Sequence, residues 1–212
     1  MAEQFIALKD YNLEVGFNGM MISLTSSFEE FLRRLIRDGI ADICKKITPY
    51  SKLKPRLQQH HLVSSGYALI TLPNPPVESN YDYDLICQNL GNCHTNSENV
   101  TLNGNVFHSK LSSLTQKTIN EALDRINISI DWNRFGQNAG LRKVLRVDGK
   151  RDGTKETIVW LDEFVKKRNR IAHTGVVGYL TKQTEIEEAL AFFDAFAPVL
   201  ADAVEDGLKK SI

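Results

Sequence analysis

Residues 161–175, LDEFVKKRNRIAHTG, are the most informative segment of this chain. Its apolar residues recur at helical spacing and extend a stripe that starts at Ile158. Thr154 is the predicted N-cap of this helix, and Gly175 supplies the predicted left-handed stop. The stretch therefore predicts a long amphipathic helix that ends at His173.

The rest of the chain follows the same period. Helices are predicted over about 18–46, from Pro55 through Tyr67, over 106–126, over 132–145 and from about 182 to 210. Thr181 is the predicted N-cap of the last one. The pattern predicts an all-α helical bundle in a single domain, 1–212. Two segments depart from it: 73–106 is polar and is predicted as a long irregular loop or insertion, and 148–153 as an exposed loop or a small hairpin tip.

Composition limits the class of protein. The 212 residues are 42% apolar and 25% charged, as in ordinary globular domains. No run approaches the ~20 apolar residues of a membrane helix, and the N-terminus lacks the plan of a signal peptide. Three cysteines without framework spacing favour a reducing cytoplasm, and Cys87-x5-Cys93-His94 has the wrong spacing for zinc. We expect a cytoplasmic protein without metal or cofactor.

Charge patterning leaves two interpretations open. The formal net charge is zero, which argues against broad, charge-driven coating of nucleic acid. Basic residues concentrate in 142–170, whereas acidic residues concentrate in 181–206. This contrast indicates either a local phosphate site or two helices that attract each other.

The end of the 161–175 helix carries groups that suit RNA chemistry. Arg168 can hold a phosphate by two parallel hydrogen bonds, and His173 can move a proton near neutral pH. Asn169 lies four residues before His173, on the same helical face, and can orient the imidazole. These are the groups needed to cleave RNA without a metal, with the ribose 2′-hydroxyl as nucleophile. The alternative is a solvated basic helix end whose side chains satisfy the terminal carbonyls.

Residues 161–175, with the pattern R-N-x3-H, resemble the motif helix of the HEPN superfamily. The likeness is greatest to the RiboL-PSP type and to the HEPN nucleases of bacterial defence and toxin loci. SLTSSFEEFLRRLI, residues 23–36, resembles the first helix of that group. The resemblance implies a helical bundle that dimerises, so that two motifs build one composite RNA site. It also implies metal-independent cleavage that leaves a 2′,3′-cyclic phosphate and a 5′-hydroxyl.

The resemblance also implies a role for individual residues. His173 would be the general base or acid, Arg168 would stabilise the charge on the phosphate, and Asn169 would position the histidine. Glu29 would anchor Arg168 or Arg170, or is simply a solvated glutamate. The expected substrate-binding residues are Arg170, Lys167 and Lys166.

The expected function is a metal-independent endoribonuclease of a bacterial defence or toxin–antitoxin system. Its expected partners are a second copy of the chain, an RNA substrate and an antitoxin or other defence protein, with no membrane involved. The alternative is a non-catalytic HEPN module that binds RNA or protein as a scaffold. One departure matters: Gly175 stands where the sub-group paired with nucleotidyltransferase antitoxins has tyrosine, so we do not expect that pairing.

Overall fold

The computed structural model describes residues 2–71, 82–95, 100–107, 113–174 and 181–211, and within these ranges it is helical without strands. The α-helices are α1 (Ala2–Lys46), α2 (Pro55–Thr71), α3 (Tyr83–His94), α4 (Gln116–Asp124), α5 (Asn133–Gln137), α6 (Ala139–Leu145), α7 (Lys150–Thr174) and α8 (Gln183–Ser211). Short 3-10 turns cover Tyr50–Lys52 and Gly104–Val106. The all-α prediction is confirmed. No helix in these ranges is both long and apolar enough to cross a membrane.

The chain divides into two compact units. The first comprises Met1–Phe31, Ser113–Gln116 and Asp131–Leu200, and it contains α5, α6 and α7 complete. The second comprises Leu32–Ser112, Lys117–Ile130 and Ala201–Ile212. The single domain over 1–212 therefore stays a prediction, and each unit is described by itself.

The core of the first unit is built from aromatic rings. Phe28 of α1 lies 4.5 Å, centroid to centroid, from Phe193 of α8. Phe164 of α7 packs edge-on against Phe193 at 4.9 Å. Phe135 of α5 stacks on Phe196 at 4.7 Å. Because these rings are all buried, they fix α7 against α1 and α8 through large apolar areas.

A close backbone contact joins α5 to the first turn of α7. A Cβ placed on Gly136 would lie 2.6 Å from the backbone nitrogen of Thr154, and one placed on Gly153 would lie 3.1 Å from the Cα of Gly136. No side chain fits in this gap. Glycine is therefore required at Gly136 for the two backbones to approach each other.

The second unit contains a buried polar network centred on His61, which is 0% exposed. Its Nε2 accepts a hydrogen bond from the backbone N–H of Asn103 at 3.0 Å, and its Nδ1 lies 3.4 Å from the hydroxyl of Tyr50. The side chain of Asn103 donates to Ser65 Oγ at 3.0 Å and accepts from Asn89 at 2.8 Å. The network ties α2 and α3 to the 100–106 segment.

Two predictions about α7 and the segment before it are wrong. Thr154 is not the N-cap, because the helix begins at Lys150 and the Thr154 hydroxyl donates to the Lys150 carbonyl at 3.3 Å. The loop or hairpin tip predicted over 148–153 is wrong from Lys150 onward for the same reason, whereas 148 and 149 are non-helical as predicted. Asp152 lies in the first turn, where the helix dipole favours a carboxylate. Gly175, the predicted stop, lies outside the described residues.

The prediction of an irregular segment over 73–106 is also wrong in part, because this segment contains α3. Asp82 caps this helix by accepting from the backbone N–H of Leu85 at 3.0 Å. Of the helix predicted over 106–126, the described residues form α-helix from Gln116 to Asp124, and 113–115 are non-helical. The helix predicted over 132–145 is interrupted at Asn138. Asn138 has extended backbone, and its side chain caps α6. Polar capping residues thus begin helices within segments that were predicted as loop or as continuous helix.

Candidate functional site

Helix α7 presents Arg168 and His173 on different faces. Arg168 follows Leu161, Phe164 and Val165 by seven, four and three residues, so it shares the face that these buried side chains turn to the core. His173 lies in the last turn and is exposed. Five residues separate the two side chains by about 140° around the helix axis. One copy of α7 therefore offers the imidazole to solvent and the guanidinium to the packed side.

Arg168 is half-buried and incompletely hydrogen-bonded. Its Nη1 donates to Oδ1 of Asn169 at 3.1 Å. Its Nε is buried and has no hydrogen-bond partner among the described residues. Buried N–H groups are nearly always paired, because an unmade bond costs about 1–3 kcal/mol. The guanidinium therefore keeps a donor that an additional oxygen acceptor would satisfy.

The structure brings together Arg168 and Asn169 but not the complete predicted triad. Among the described side chains, no hydrogen bond joins His173 to Asn169, whose amide oxygen is occupied by Arg168. The two residues are one helical turn apart on the same face. The role of Asn169 in positioning His173 stays a prediction.

The three expected substrate-binding residues lie around one cavity. Lys166, Lys167 and Arg170 line a cavity of about 310 Å³ in the first unit. Lys166 pairs with Glu163 at 2.7 Å, and this hydrogen bond raises the pKa of the lysine. Lys167 forms an ion pair with Glu185 of α8. These cations are thus grouped beside α8, on a part of α7 that precedes His173.

The rest of the cavity is apolar and acidic. Its apolar lining comes from Met21, Trp160, Phe164 and Ala189, and its acidic lining from Glu163, Glu185 and Glu188. Trp160 is half-buried, and its ring stacks on Phe192 of α8 at 3.6 Å and on Phe164 at 5.1 Å. Sequence reasoning missed this cavity. A usable signal was the face of α7 that carries Trp160, Glu163, Phe164, Lys167 and Arg170.

A buried hydrogen-bond pair joins α1 to the start of α8. Oδ1 of Asn18 accepts from the hydroxyl of Thr181 at 2.6 Å and from its backbone N–H at 3.0 Å. Thr181 is therefore not the N-cap that was predicted. Lys182 occupies that position, and its backbone N–H donates to Glu185 at 2.8 Å, as in half of a capping box. The bonds of Asn18 hold the start of α8 against α1, and the ion pair of Lys167 with Glu185 joins its first turn to α7.

Glu29 is buried on α1 in the same unit, which contradicts the solvated alternative. Its support of Arg168 or Arg170 stays a prediction. Among the described residues, no group of three or more His, Cys, Asp or Glu side chains is placed to hold a metal ion.

Residues 6–206 match the family model described as RiboL-PSP-HEPN. The matched range includes nearly the whole chain, with both the first helix and the complete R-N-x3-H pattern. No curated protein and no solved structure matches the chain.

Proposed function

Because the chain belongs to the RiboL-PSP-HEPN family, we propose that it is a metal-independent endoribonuclease that acts as a homodimer. HEPN domains are often ribonucleases, and they often dimerise and bind RNA. The observation that carries the proposal is the state of Arg168. It is held by Asn169, its buried Nε has no acceptor among the described residues, and an exposed histidine follows five residues later. A phosphate oxygen is the acceptor that a guanidinium binds best.

The proposed reaction is an internal transfer at phosphorus. His173 removes the proton from a ribose 2′-hydroxyl, and the resulting oxygen attacks the adjacent phosphorus. The bond from phosphorus to the 5′-oxygen breaks, and the imidazole of His173 that took up the proton returns it to that oxygen. The products are a 2′,3′-cyclic phosphate and a 5′-hydroxyl. Arg168 stabilises the charge that grows on the non-bridging oxygens.

The geometry of α7 favours a site shared between two copies. Arg168 and His173 point about 140° apart on one helix, so one copy does not easily place both against the same phosphate. A two-fold dimer, in which the ends of both α7 helices meet, supplies an arginine from one copy opposite a histidine from the other. We therefore expect a dimer in solution and an inactive monomer.

The first test is RNA cleavage in the presence of EDTA. Purified wild type should produce fragments with cyclic-phosphate ends, and His173→Ala should lose this activity. His94→Ala is the matched control, because His94 is also an exposed histidine in the last turn of a helix. Fragments that persist in folded His173→Ala, or that disappear equally in His94→Ala, would contradict the assigned role of His173.

A mixing experiment tests the shared site. Arg168→Ala and His173→Ala should each be inactive alone. When they are mixed in equal amounts and allowed to exchange, about half of the dimers are mixed by random pairing. Those dimers hold one intact arginine and one intact histidine, so activity should return in part. No recovery in mixtures shown to exchange subunits would contradict a composite site.

One observation favours a second candidate, a non-catalytic module that binds RNA or protein. Arg168 lies on the packed face of α7, with its Nε buried, so part of its role is structural. If folded, dimeric wild type binds RNA but leaves it intact, this candidate replaces the enzyme.

We propose that the enzyme belongs to a bacterial defence or toxin–antitoxin system. Overexpression should then arrest growth, and His173→Ala should relieve the arrest at equal protein levels.

A further inference from the structure

We propose that the cavity formed by α1, α7 and α8 in the first unit, here called the α7–α8 cavity, binds one unpaired nucleobase of the RNA. This inference rests on the proposed function in taking RNA as the ligand, and it adds the subsite that selects the substrate. The cavity is lined by Met21, Trp160, Lys167, Arg170 and Glu188, among others.

The size and floor of the cavity suit a flat ring. Its volume of about 310 Å³ is at the low end of the range for small-molecule sites. Trp160 lines it, and the stacking of Trp160 on Phe192 and Phe164 holds its indole in one orientation. Because Phe192 and Phe164 already stack on the indole, a base in the cavity would lie against the remaining edge of Trp160 and the side chains of Met21 and Ala189. The cavity thus offers a preformed apolar wall for a single base.

The charges around the cavity favour a base over a phosphate. Three acids (Glu163, Glu185 and Glu188) balance three cations (Lys166, Lys167 and Arg170), so the lining has no net charge. Both lysines already pair with acids, Lys166 with Glu163 and Lys167 with Glu185. A phosphate placed inside would meet three carboxylates. A neutral base would instead meet both hydrogen-bond donors and acceptors.

Glu188 is the acid best placed to read a base. Its carboxylate contacts Arg146 at 3.4 Å, and both of these side chains are more than half exposed. An ion pair this exposed contributes little, so a carboxylate oxygen is available to a ligand. Carboxylates accept hydrogen bonds from exocyclic amino groups such as N4 of cytosine. We therefore expect a base with an amino group to bind more tightly than uracil.

The position of the cavity connects it to the proposed chemistry. Arg170 lines it and precedes His173 by three residues, about 5 Å along the helix axis. The two side chains are neighbours on the surface of α7. Trp160, which lines the same cavity, precedes His173 by 13 residues, about 20 Å along the helix axis. A base beside Trp160 therefore belongs to a nucleotide several positions from the phosphate at His173, and α7 sets the distance between base recognition and cleavage.

The test uses binding without cleavage. The His173→Ala chain is titrated with a short oligocytidylate and with the same oligonucleotide carrying abasic sites, while tryptophan fluorescence is recorded. Trp160→Phe, added to the same chain, assigns the signal, since the other tryptophan, Trp132, is buried. The expected result is quenching of Trp160 by oligocytidylate that is lost with the abasic oligonucleotide. Fluorescence anisotropy of labelled oligonucleotides measures binding independently.

A matched pair of variants locates the base contact. Glu188→Gln should weaken binding of oligocytidylate about tenfold. Glu187→Gln should not change it, because Glu187 is exposed on the same helix, pairs with Gln183 at 2.8 Å and does not line the cavity. Oligouridylate should bind more weakly than oligocytidylate to the parent chain. The two oligonucleotides should bind with about equal affinity to Glu188→Gln.

The results separate this inference from the proposed enzyme. Base-dependent quenching together with intact RNA from wild type would uphold the cavity and reject the ribonuclease. Cleavage by wild type without base-dependent quenching would uphold the ribonuclease and reject the cavity as a base-binding site. Equal quenching by intact and abasic oligonucleotides would overturn the subsite, as would binding that leaves Trp160 unchanged. Absence of any oligonucleotide binding, together with intact RNA from wild type, would reject both.

Discussion

Acidification should destabilise this protein through His61. Burial lowers the pKa of His61 from its ordinary value of 6.5 to about 4. The geometry explains the preference for the neutral form, because Nε2 must be unprotonated to accept from the backbone N–H of Asn103 at 3.0 Å. The proton then sits on Nδ1, toward the hydroxyl of Tyr50. Protonation of Nε2 would place two donors against each other inside the second unit.

The sign and size of the effect follow from linkage. A pKa that is lower in the folded state means that the unfolded chain binds the proton more readily. The stabilisation is complete above pH 6.5 and is lost as the pH falls through about 4. A shift of this size is worth about 3 kcal/mol in full. Between about pH 7.5 and about pH 4.5, the free energy of unfolding should fall by about 2–3 kcal/mol on account of His61.

Urea denaturation followed by circular dichroism measures this loss. Wild type is compared at both pH values with His61→Gln, which stays neutral and offers an amide oxygen in place of Nε2. Carboxylates contribute equally to both proteins, so the difference in their pH dependence isolates His61. Substitution of the exposed His94 by glutamine is the control, and it should follow wild type. If wild type and His61→Gln lose the same free energy on acidification, the reasoning is wrong.

Three further predictions concern the first unit and its ligand. Gly136→Ala should lower the free energy of unfolding by about 1–3 kcal/mol or more, because its Cβ would meet the backbone of α7. Thermal denaturation measures this loss. The control is Gly91→Ala, which has open space around the new Cβ and should be as stable as wild type or more so. Asn18→Ala should cost about 2 kcal/mol by removing both bonds to Thr181, whereas Asn18→Asp, which keeps an acceptor, should cost less in the same denaturation assay. Binding of single-stranded RNA should depend weakly on salt, with a logarithmic slope no steeper than about −2, since the lining of the α7–α8 cavity has no net charge and both of its lysines are already paired with acids. A steeper slope in an anisotropy titration would mean that other basic surfaces carry the RNA.

The sequence predicted what depends on local periodicity. The apolar spacing of Leu161, Phe164 and Val165 is preserved in α7, because one helical face is buried along its length. Helix starts were less predictable. Thr154 has the right chemistry for an N-cap, but the contact of α5 with the first turn extends α7 back to Lys150. The start of α7 is therefore set by tertiary packing and not by the local capping preference of Thr154.

The parts of the site that sequence could not predict depend on distant residues. Asn18 and Thr181 are 163 positions apart, and neither side chain carries a local sign of its partner. The α7–α8 cavity likewise needs Met21 from α1 and Glu188 from α8 beside Trp160. An amphipathic helical face is visible in the sequence of one segment. A cavity depends on how three separate helices are arranged in the folded protein. The chemistry of the motif was therefore readable, and its neighbouring cavity was not.

The two faces of α7 determine which substitution is best for making an inactive form of this protein. A substitution at Arg168 removes a half-buried side chain that contacts Asn169, so its consequences mix altered folding with altered chemistry. The exposed His173 can be replaced without disturbing the packed interior. An inert protein for capturing RNA fragments from cells, or for crystallising a substrate complex, is best made at the histidine. Harmlessness of an arginine variant in cells carries information only when its abundance has been measured.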